Sequence, residues 1–111
     1  MSWNIVLFES RRNEKPVEVL IKSLDQPTIA KVIHIIALLE NYGPQIGMPH
    51  TKKLTSDLYE LRVRGRQEVR IIYSFIKKDI YLLHAFIKKQ QKTPIKEIET
   101  AFNRFRFLTS I

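Results

Sequence analysis

The residues of this chain that could do chemistry are cations placed along two predicted strands. Arg62 and Arg70 occupy polar positions in segments that alternate between apolar and polar residues. Their side chains should therefore converge on the face opposite the apolar residues. The lysine pairs Lys52–Lys53 and Lys88–Lys89 flank these strands, and such a cluster is repulsive unless an anion lies within it. The pattern predicts an anion-binding site, while a solvated face with cross-strand Arg–Glu pairs stays an open alternative.

The distribution of charge along the chain indicates the same kind of partner. The 111 residues include 19 Lys and Arg against 11 Asp and Glu, a net charge of +8. Residues 1–50 carry five charges of each sign, so the whole excess lies in residues 51–111, with 14 basic and 6 acidic side chains. A neutral half joined to a strongly basic half indicates a surface that faces a polyanion such as a nucleic acid.

Other kinds of site lack the residues that they need. Without cysteine the chain has no disulfide, zinc–thiolate site or thiol nucleophile, which fits a cytosolic setting. Its three glycines form no phosphate-binding loop, and its three histidines have no metal-ligand spacing. The longest aliphatic run, residues 35–39, is far shorter than the ~20 residues of a membrane span. We therefore expect a cytoplasmic protein with no metal, no small-molecule cofactor and no membrane partner.

The first half of the chain predicts a strand followed by a helical hairpin. Residues 4–9 are β-branched and aromatic, as is typical of a strand. Apolar residues then recur at helical spacing in two runs, for which Asn13 and Asp25 are candidate N-caps. The sequence Tyr42-Gly43-Pro44 should end the second helix. We expect this hairpin to be a packing element.

In the second half the apolar period changes from 3.6 to 2. Residues 45–57 are polar and predict a loop, after which three strands joined by short turns must form an antiparallel meander. The strands are expected at residues 58–64, 68–76 and 80–87. A final helix follows, with Thr93 as its N-cap and Pro94 at its first position. The order β-α-α-β-β-β-α predicts a single α+β domain over residues 1–111, with one layer of helix against a twisted sheet.

Four segments of the second half share a pattern with a known family. They are Lys53-Leu-x-x-x-Leu58-Tyr-Glu-Leu-Arg62, Arg70-Ile-Ile-Tyr73, Leu82-Leu-His84-Ala-Phe86-x-Lys88-Lys89-x-x-Lys92-Thr93-Pro94 and Glu97-Ile98-x-x-Ala101. Together they resemble the HigB-like, phage-derived branch of the RelE/ParE toxin superfamily. The resemblance implies a RelE-like fold and a type II toxin that cleaves mRNA on the translating ribosome without a metal. It also implies three partners: a cognate helix-turn-helix antitoxin, the ribosome and mRNA.

The resemblance further implies roles for the cations. The 2′-hydroxyl of RNA attacks the adjacent phosphate, and fixed guanidinium groups stabilise the charge that builds on its oxygens. Arg62 and Arg70 match the family's arginines in that role. Lys53 matches by position as the general base, and Lys88 or Lys89 would bind phosphate or protonate the leaving oxygen. Further contacts with RNA are expected from Lys52, Arg64, His84, Phe86 and Lys92.

Several side chains keep a second interpretation. His50 and His84 are also candidate acid–base groups, but a half-buried structural histidine is equally reasonable for His84 in its apolar strand. Phe86 either stacks on a base or packs in the core. His34 fits the pattern of the second helix as a structural residue. Arg104 and Arg106 are expected at a solvated helix end or in an antitoxin contact.

Two other functions stay open at this point. A ParE-like toxin would share the fold and bind a protein target such as DNA gyrase, and it would need no phosphate-stabilising cluster. A basic RNA-binding module would contact RNA without turnover. In either toxin, the apolar side of the hairpin at residues 17–39, or the final helix, is the expected antitoxin interface.

Overall fold

The fold is built on one five-stranded sheet. A computed structural model describes residues 2–110, and its strands are β1 (Asn4–Leu7), β2 (Thr51–Lys53), β3 (Tyr59–Val63), β4 (Val69–Ile76) and β5 (Asp79–Ile87). The helices are α1 (Pro16–Lys22), α2 (Gln26–Tyr42) and α3 (Ile95–Thr109), with a short 3-10 turn at Gly43–Gln45. The spatial order is β1-β5-β4-β3-β2, in which β1 runs parallel to β5 and all other neighbours are antiparallel. The predicted α+β class is confirmed, and the arrangement is consistent with a RelE-like fold.

Helices cover both faces of the sheet, so the expected single helical layer is wrong. On one face the main core joins Val32 of α2 to Leu61 and Ile71 of the strands. On the other face α3 places Ala101 against Ile72 in a second core. The two central strands carry apolar residues on both faces, Ile71 and Ile72 in β4 and Leu82 and Leu83 in β5, so both faces must be buried. The polar positions of β3 and β4 consequently lie on the face that α3 covers.

Two local predictions about α2 are confirmed. The Asp25 carboxylate accepts a hydrogen bond from the Thr28 N–H at 2.9 Å, which caps the helix. At the other end Gly43 adopts φ 52°, and a Cβ there would overlap the indole ring of Trp3. Glycine therefore ends this helix for two reasons, the left-handed backbone and the aromatic ring that lies against it.

Two predicted caps are wrong. Asn13 has φ 64° and lies outside α1, which begins at Pro16 without a side-chain cap. Thr93 does not cap α3, because its hydroxyl donates a hydrogen bond to the carboxylate of Glu60 instead. The N-cap position of α3 is held by Pro94, whose side chain makes no cap.

Residues 45–57 are not entirely loop, because they contain β2. This strand pairs antiparallel with β3 and brings Lys52 opposite Glu60 and Lys53 opposite Tyr59. Partners across a strand pair share a face, whereas neighbours along a strand point to opposite faces. The two lysines therefore lie on different sides of the sheet. Within residues 2–110, no helix is long and apolar enough to cross a membrane.

Candidate functional site

The arginines of β3 and β4 meet as the sequence predicts. Arg62 and Arg70 are direct cross-strand partners on the face that α3 covers. Their environments differ, since the Arg70 side chain is 1% exposed and that of Arg62 is 16% exposed. Burial lowers the pKa of Arg70 below its usual range, and the nearby Glu60 and Glu68 carboxylates partly offset that effect. Of the two arginines, Arg62 is the more accessible to a ligand.

Glu60 lies between the two arginines and is itself buried. Its Oε1 atom is 3.5 Å from Nε of Arg62 and 3.8 Å from Nε of Arg70. Its Oε2 atom accepts the hydrogen bond from Thr93. Because this carboxylate binds groups from β3, β4 and the segment before α3, it fixes their relative positions. Glu60 was not among the site residues predicted from the sequence, although its place two residues before Arg62 on the polar face was the available signal.

Arg70 is enclosed by protein groups on several sides. One terminal nitrogen donates to the Val69 carbonyl at 3.1 Å and lies 3.6 Å from Oε2 of Glu68. With Glu60 on its Nε side, the guanidinium has no open approach for a phosphate. Arg70 therefore matches the alternative prediction, in which the arginines form cross-strand pairs with glutamates. It can act on a ligand only through its neighbours.

The lysines expected at the site are spread over the sheet. Lys52 lies on the arginine face, opposite Glu60, and is exposed. Lys53 lies on the other face, where its ammonium is 5.9 Å from the ring centroid of Tyr59. The structure does not bring Lys53 to the arginine pair, because strand alternation separates it from Lys52.

The lysines after β5 begin with Lys88, two residues beyond Phe86, which is the cross-strand partner of Arg70. The Lys88 N–H donates to the Glu68 carbonyl at 2.7 Å, which continues the β4–β5 ladder past Ile87. Lys89 is exposed and lines a shallow cleft with Lys96 and Glu97 of α3. Lys92 is exposed in the segment before α3.

A β-bulge in β5 decides which face His84 occupies. His84 pairs with Ile72 while Leu82 pairs with Tyr73, so Leu83 is an extra residue in the ladder. Strict alternation would put His84 on the same face as Leu82. The bulge reverses the phase and turns His84 toward α3.

Both ring nitrogens of His84 are bound to α3. Nε2 lies 2.6 Å from Oε1 of Glu97, and Nδ1 lies 3.2 Å from a terminal nitrogen of Arg104. Since a guanidinium only donates, Nδ1 accepts and Nε2 carries the proton that is donated to Glu97. Burial lowers the pKa of His84, and the positive charge of Arg104 lowers this pKa further. The hydrogen bond with Glu97 raises the same pKa and offsets part of the decrease. His84 is a neutral anchor for α3, which agrees with its structural interpretation.

Phe86 and Arg104 have packing roles in this arrangement. Phe86 is 7% exposed, is the cross-strand partner of Arg70, and stacks on the ring of His84 with centroids 5.8 Å apart. The core-packing interpretation of Phe86 therefore describes its position. Arg104 donates to the Leu83 carbonyl at 2.9 Å, and its guanidinium lies 5.4 Å from the ring centroid of Phe8. Arg104 is thus bound to the sheet and is not at a solvated helix end.

A cleft of about 200 Å³ opens beside Arg62 at the end of β3. We call it the edge cleft, and its basic lining residues are Lys31, His34, His50, Arg62 and Arg64. His50 is half-buried there, and its carbonyl accepts a hydrogen bond from the Arg62 N–H at 2.7 Å. His34 is exposed on α2 rather than packed in the core. The edge cleft is where the partly open Arg62 meets a candidate acid–base group.

Metal ligands are not clustered in the described part of the chain. Residues 2–110 contain no group of three or more His, Cys, Asp or Glu side chains placed to hold a metal ion. The side chains at the edge cleft and on the arginine face offer two kinds of chemistry: Arg62 can bind an anion, and His50 or Lys52 can transfer a proton.

Comparison with known proteins identifies a family. A family model described as "Phage derived protein Gp49-like (DUF891)" matches residues 20–106. The match runs from the last turn of α1 through β2 to β5 and most of α3 and leaves out β1, so it includes both arginines and Glu60. No curated protein matches the chain.

Proposed function

The chain belongs to the Gp49-like family of phage-derived proteins, and from this premise we propose that it is a toxin that cleaves ribosome-bound mRNA. The family is associated with the toxins of toxin–antitoxin modules, and such a toxin implies an antitoxin partner. We further propose that the protein is a RelE- and HigB-like endoribonuclease of a type II module. It would act in the cytoplasm, where loss of mRNA inhibits translation and arrests growth.

One observation supports this proposal above the others: Arg62 pairs with the buried Glu60 carboxylate and still keeps 16% of its side chain exposed. Arg70 fixes Glu60, and Glu60 contacts Nε of Arg62. Arg62 is also one of the residues that line the edge cleft. A guanidinium whose position is set before the substrate arrives stabilises developing charge without a cost of reorganisation. Arg70 is in this scheme a positioning residue.

The proposed reaction is an in-line transesterification within RNA. The 2′-oxygen forms a bond to the adjacent phosphorus, and the bond from phosphorus to the 5′-oxygen of the next nucleotide breaks. One group accepts the 2′-hydroxyl proton and another donates a proton to the leaving 5′-oxygen. The products are a 2′,3′-cyclic phosphate and a 5′-hydroxyl, and Arg62 binds the phosphoryl oxygens throughout.

The proton-transfer groups follow from the same geometry. His50 lines the edge cleft beside Arg62, and Lys52 lies on the arginine face two residues further along the chain. We therefore assign proton transfer to His50 and Lys52. Lys53, which the resemblance favours as general base, would need to approach RNA from the opposite face of the sheet. Lys88, Lys89 and Lys92 would contact the RNA backbone outside the reacting centre.

A translating extract tests this proposal. Wild-type protein should cut an mRNA that is being translated and leave 5′-hydroxyl ends, which ligation-based end mapping detects. Arg62→Ala should slow cleavage by a factor of roughly 100 or more, the effect typical of removing one donor to a transition-state anion. Arg66→Ala is the matched control, because Arg66 is an exposed arginine of the same hairpin outside the edge cleft. Uncut mRNA with the wild-type protein, or equal cleavage by Arg62→Ala, contradicts the proposal.

A non-enzymatic ParE-like toxin is the second candidate, and the enclosure of Arg70 favours it. Two carboxylates pair with that arginine, which a toxin that binds a protein target would tolerate. Induction of the gene distinguishes the candidates, since DNA damage with continued translation supports a gyrase-directed toxin. Salt-sensitive RNA binding without any cleavage would instead support the non-catalytic RNA-binding module.

A further inference from the structure

The edge cleft receives residues from two elements that lie far apart in the sequence. Lys31 and His34 are one turn apart on α2, and they face the open end of β3 where Arg62 and Arg64 emerge. The end of the Lys31 side chain lies close to Gly65, because a Cβ built at that position would be 2.9 Å from the Lys31 ammonium nitrogen. The side chain of Lys31 therefore lies against the β3–β4 turn.

The charge in the edge cleft is not balanced by its own lining. Its charged and titratable residues are all basic, and no carboxylate lines it. Within residues 2–110, Lys31 and Arg64 form no salt bridge. Glu60 pairs with Arg62 but does not line the edge cleft, and it is shared with Arg70. Lys31 and Arg64 are exposed, and like charges that line one cleft favour the binding of an anion between them.

We propose that the edge cleft binds a backbone phosphate of RNA, with Lys31 and His34 of α2 and Arg64 after β3 as its donors. The inference rests on the proposed function, because it shares Arg62 and places this phosphate next to the one that is cleaved. It adds α2 to the RNA-binding surface, whereas the sequence predicts this helix as a packing element and as part of a candidate antitoxin interface. His34 thus becomes a ligand-binding residue rather than a structural one.

The size and chemistry of the edge cleft favour RNA over an acidic peptide. A volume of about 200 Å³ admits a single compact anion and no helix. Guanidinium, ammonium and imidazole N–H groups all donate to phosphate oxygens. Because Arg62 also lines the edge cleft, successive phosphates of one RNA strand could bind in the edge cleft and on the arginine face. An acidic segment of a protein partner would have no such continuation, and it becomes an outcome of the test.

Binding of a non-cleavable RNA separates this inference from turnover. The probe is a fluorescein-labelled single-stranded RNA of twelve 2′-O-methyl nucleotides, titrated with the full chain at several salt concentrations. Lys31→Ala/His34→Ala should weaken binding at least tenfold at low salt. It should also reduce the slope of log K against log salt by about 0.7 for each phosphate that the variant no longer neutralises. Lys22→Ala, which removes an exposed lysine of α1, should bind within twofold of wild type.

Each result of this experiment has a definite meaning. If the double variant keeps its thermal unfolding curve and binds the RNA like wild type, the inference is overturned. If a decamer of aspartate and glutamate binds more tightly than RNA, and the double variant loses that binding, the edge cleft serves a protein partner and the inference is again overturned. If RNA binding depends on Lys31 and His34 while wild type cleaves no mRNA, the phosphate site stands and the proposed function fails.

Discussion

The Nε atom of Arg70 lies 3.8 Å from the Glu60 carboxylate, and both side chains are almost completely buried beneath α3. A buried pair of this kind is costly to break, because the surviving charge has no water around it. Arg70 therefore acts through Glu60, which in turn contacts the more open Arg62. The relationship divides two neighbouring arginines into one that positions and one that can bind an anion.

We expect Arg70→Met to lower the free energy of unfolding by up to about 3–5 kcal/mol, since it removes the more deeply buried of the two arginines that pair with the Glu60 carboxylate. The double variant Arg70→Met/Glu60→Gln should recover at least half of that decrease, because it also removes the buried negative charge that has lost this partner. Urea unfolding at pH 7 measures both. If the losses of stability caused by Arg70→Met and by Glu60→Gln simply add in the double variant, the two side chains are not coupled.

Lys52→Ala and Lys53→Ala form a matched pair, because the two residues are neighbours of the same type that lie on opposite faces of the sheet. Lys52→Ala should lower the rate of mRNA cleavage at least tenfold more than Lys53→Ala does. The reason is that only Lys52 shares a face with Arg62. Cleavage rates at equal toxin concentration in a translating extract measure the difference. The reverse order of effects would return the general base to Lys53.

The stability of the protein should fall as the pH drops below about 6.5, and His84 should contribute to that fall. Burial lowers the pKa of His84 in the folded state, so the unfolded chain binds this proton first as the pH decreases. Neutral His84 therefore contributes its full stabilisation when the pH is above the pKa of this residue in the unfolded chain. That contribution is lost as the pH falls through the lower pKa of His84 in the folded protein. His84→Gln should show a smaller decrease in Tm between pH 7.5 and 5.5 than wild type. An equal decrease in both proteins would rule out this role.

Gly43→Ala and Gly47→Ala separate backbone strain from steric overlap. Both glycines have positive φ, 52° and 62°, so alanine costs about 1–2 kcal/mol at each position. Only at Gly43 would the added Cβ also overlap Trp3, whereas at Gly47 the nearest atom is 3.8 Å away. Gly43→Ala should therefore be less stable than Gly47→Ala, and the difference should shrink in a Trp3→Ala background. Thermal unfolding followed by circular dichroism gives the comparison.

Features that depend on local backbone geometry could be predicted from the amino-acid sequence alone. Alternation along a strand is a property of two or three residues, and it was enough to place Arg62 and Arg70 together opposite the main core. The cap at Asp25 and the helix end at Gly43 are equally local. Turn length between the strands predicted the meander, because short turns permit only antiparallel neighbours.

Which of these side chains can meet a ligand depends instead on how the elements pack in three dimensions. Pairing of β2 with β3 separated Lys52 from Lys53, and the extra residue Leu83 in β5 turned His84 toward α3. Docking of α3 buried Arg70, and docking of α2 brought His34 to the open end of β3. These outcomes depend on contacts between residues that are far apart in the sequence. A local sequence pattern carries no information about the energies of such contacts. The periodicity of the chain therefore established the sheet and its basic face, while long-range packing left Arg62 open and Arg70 buried.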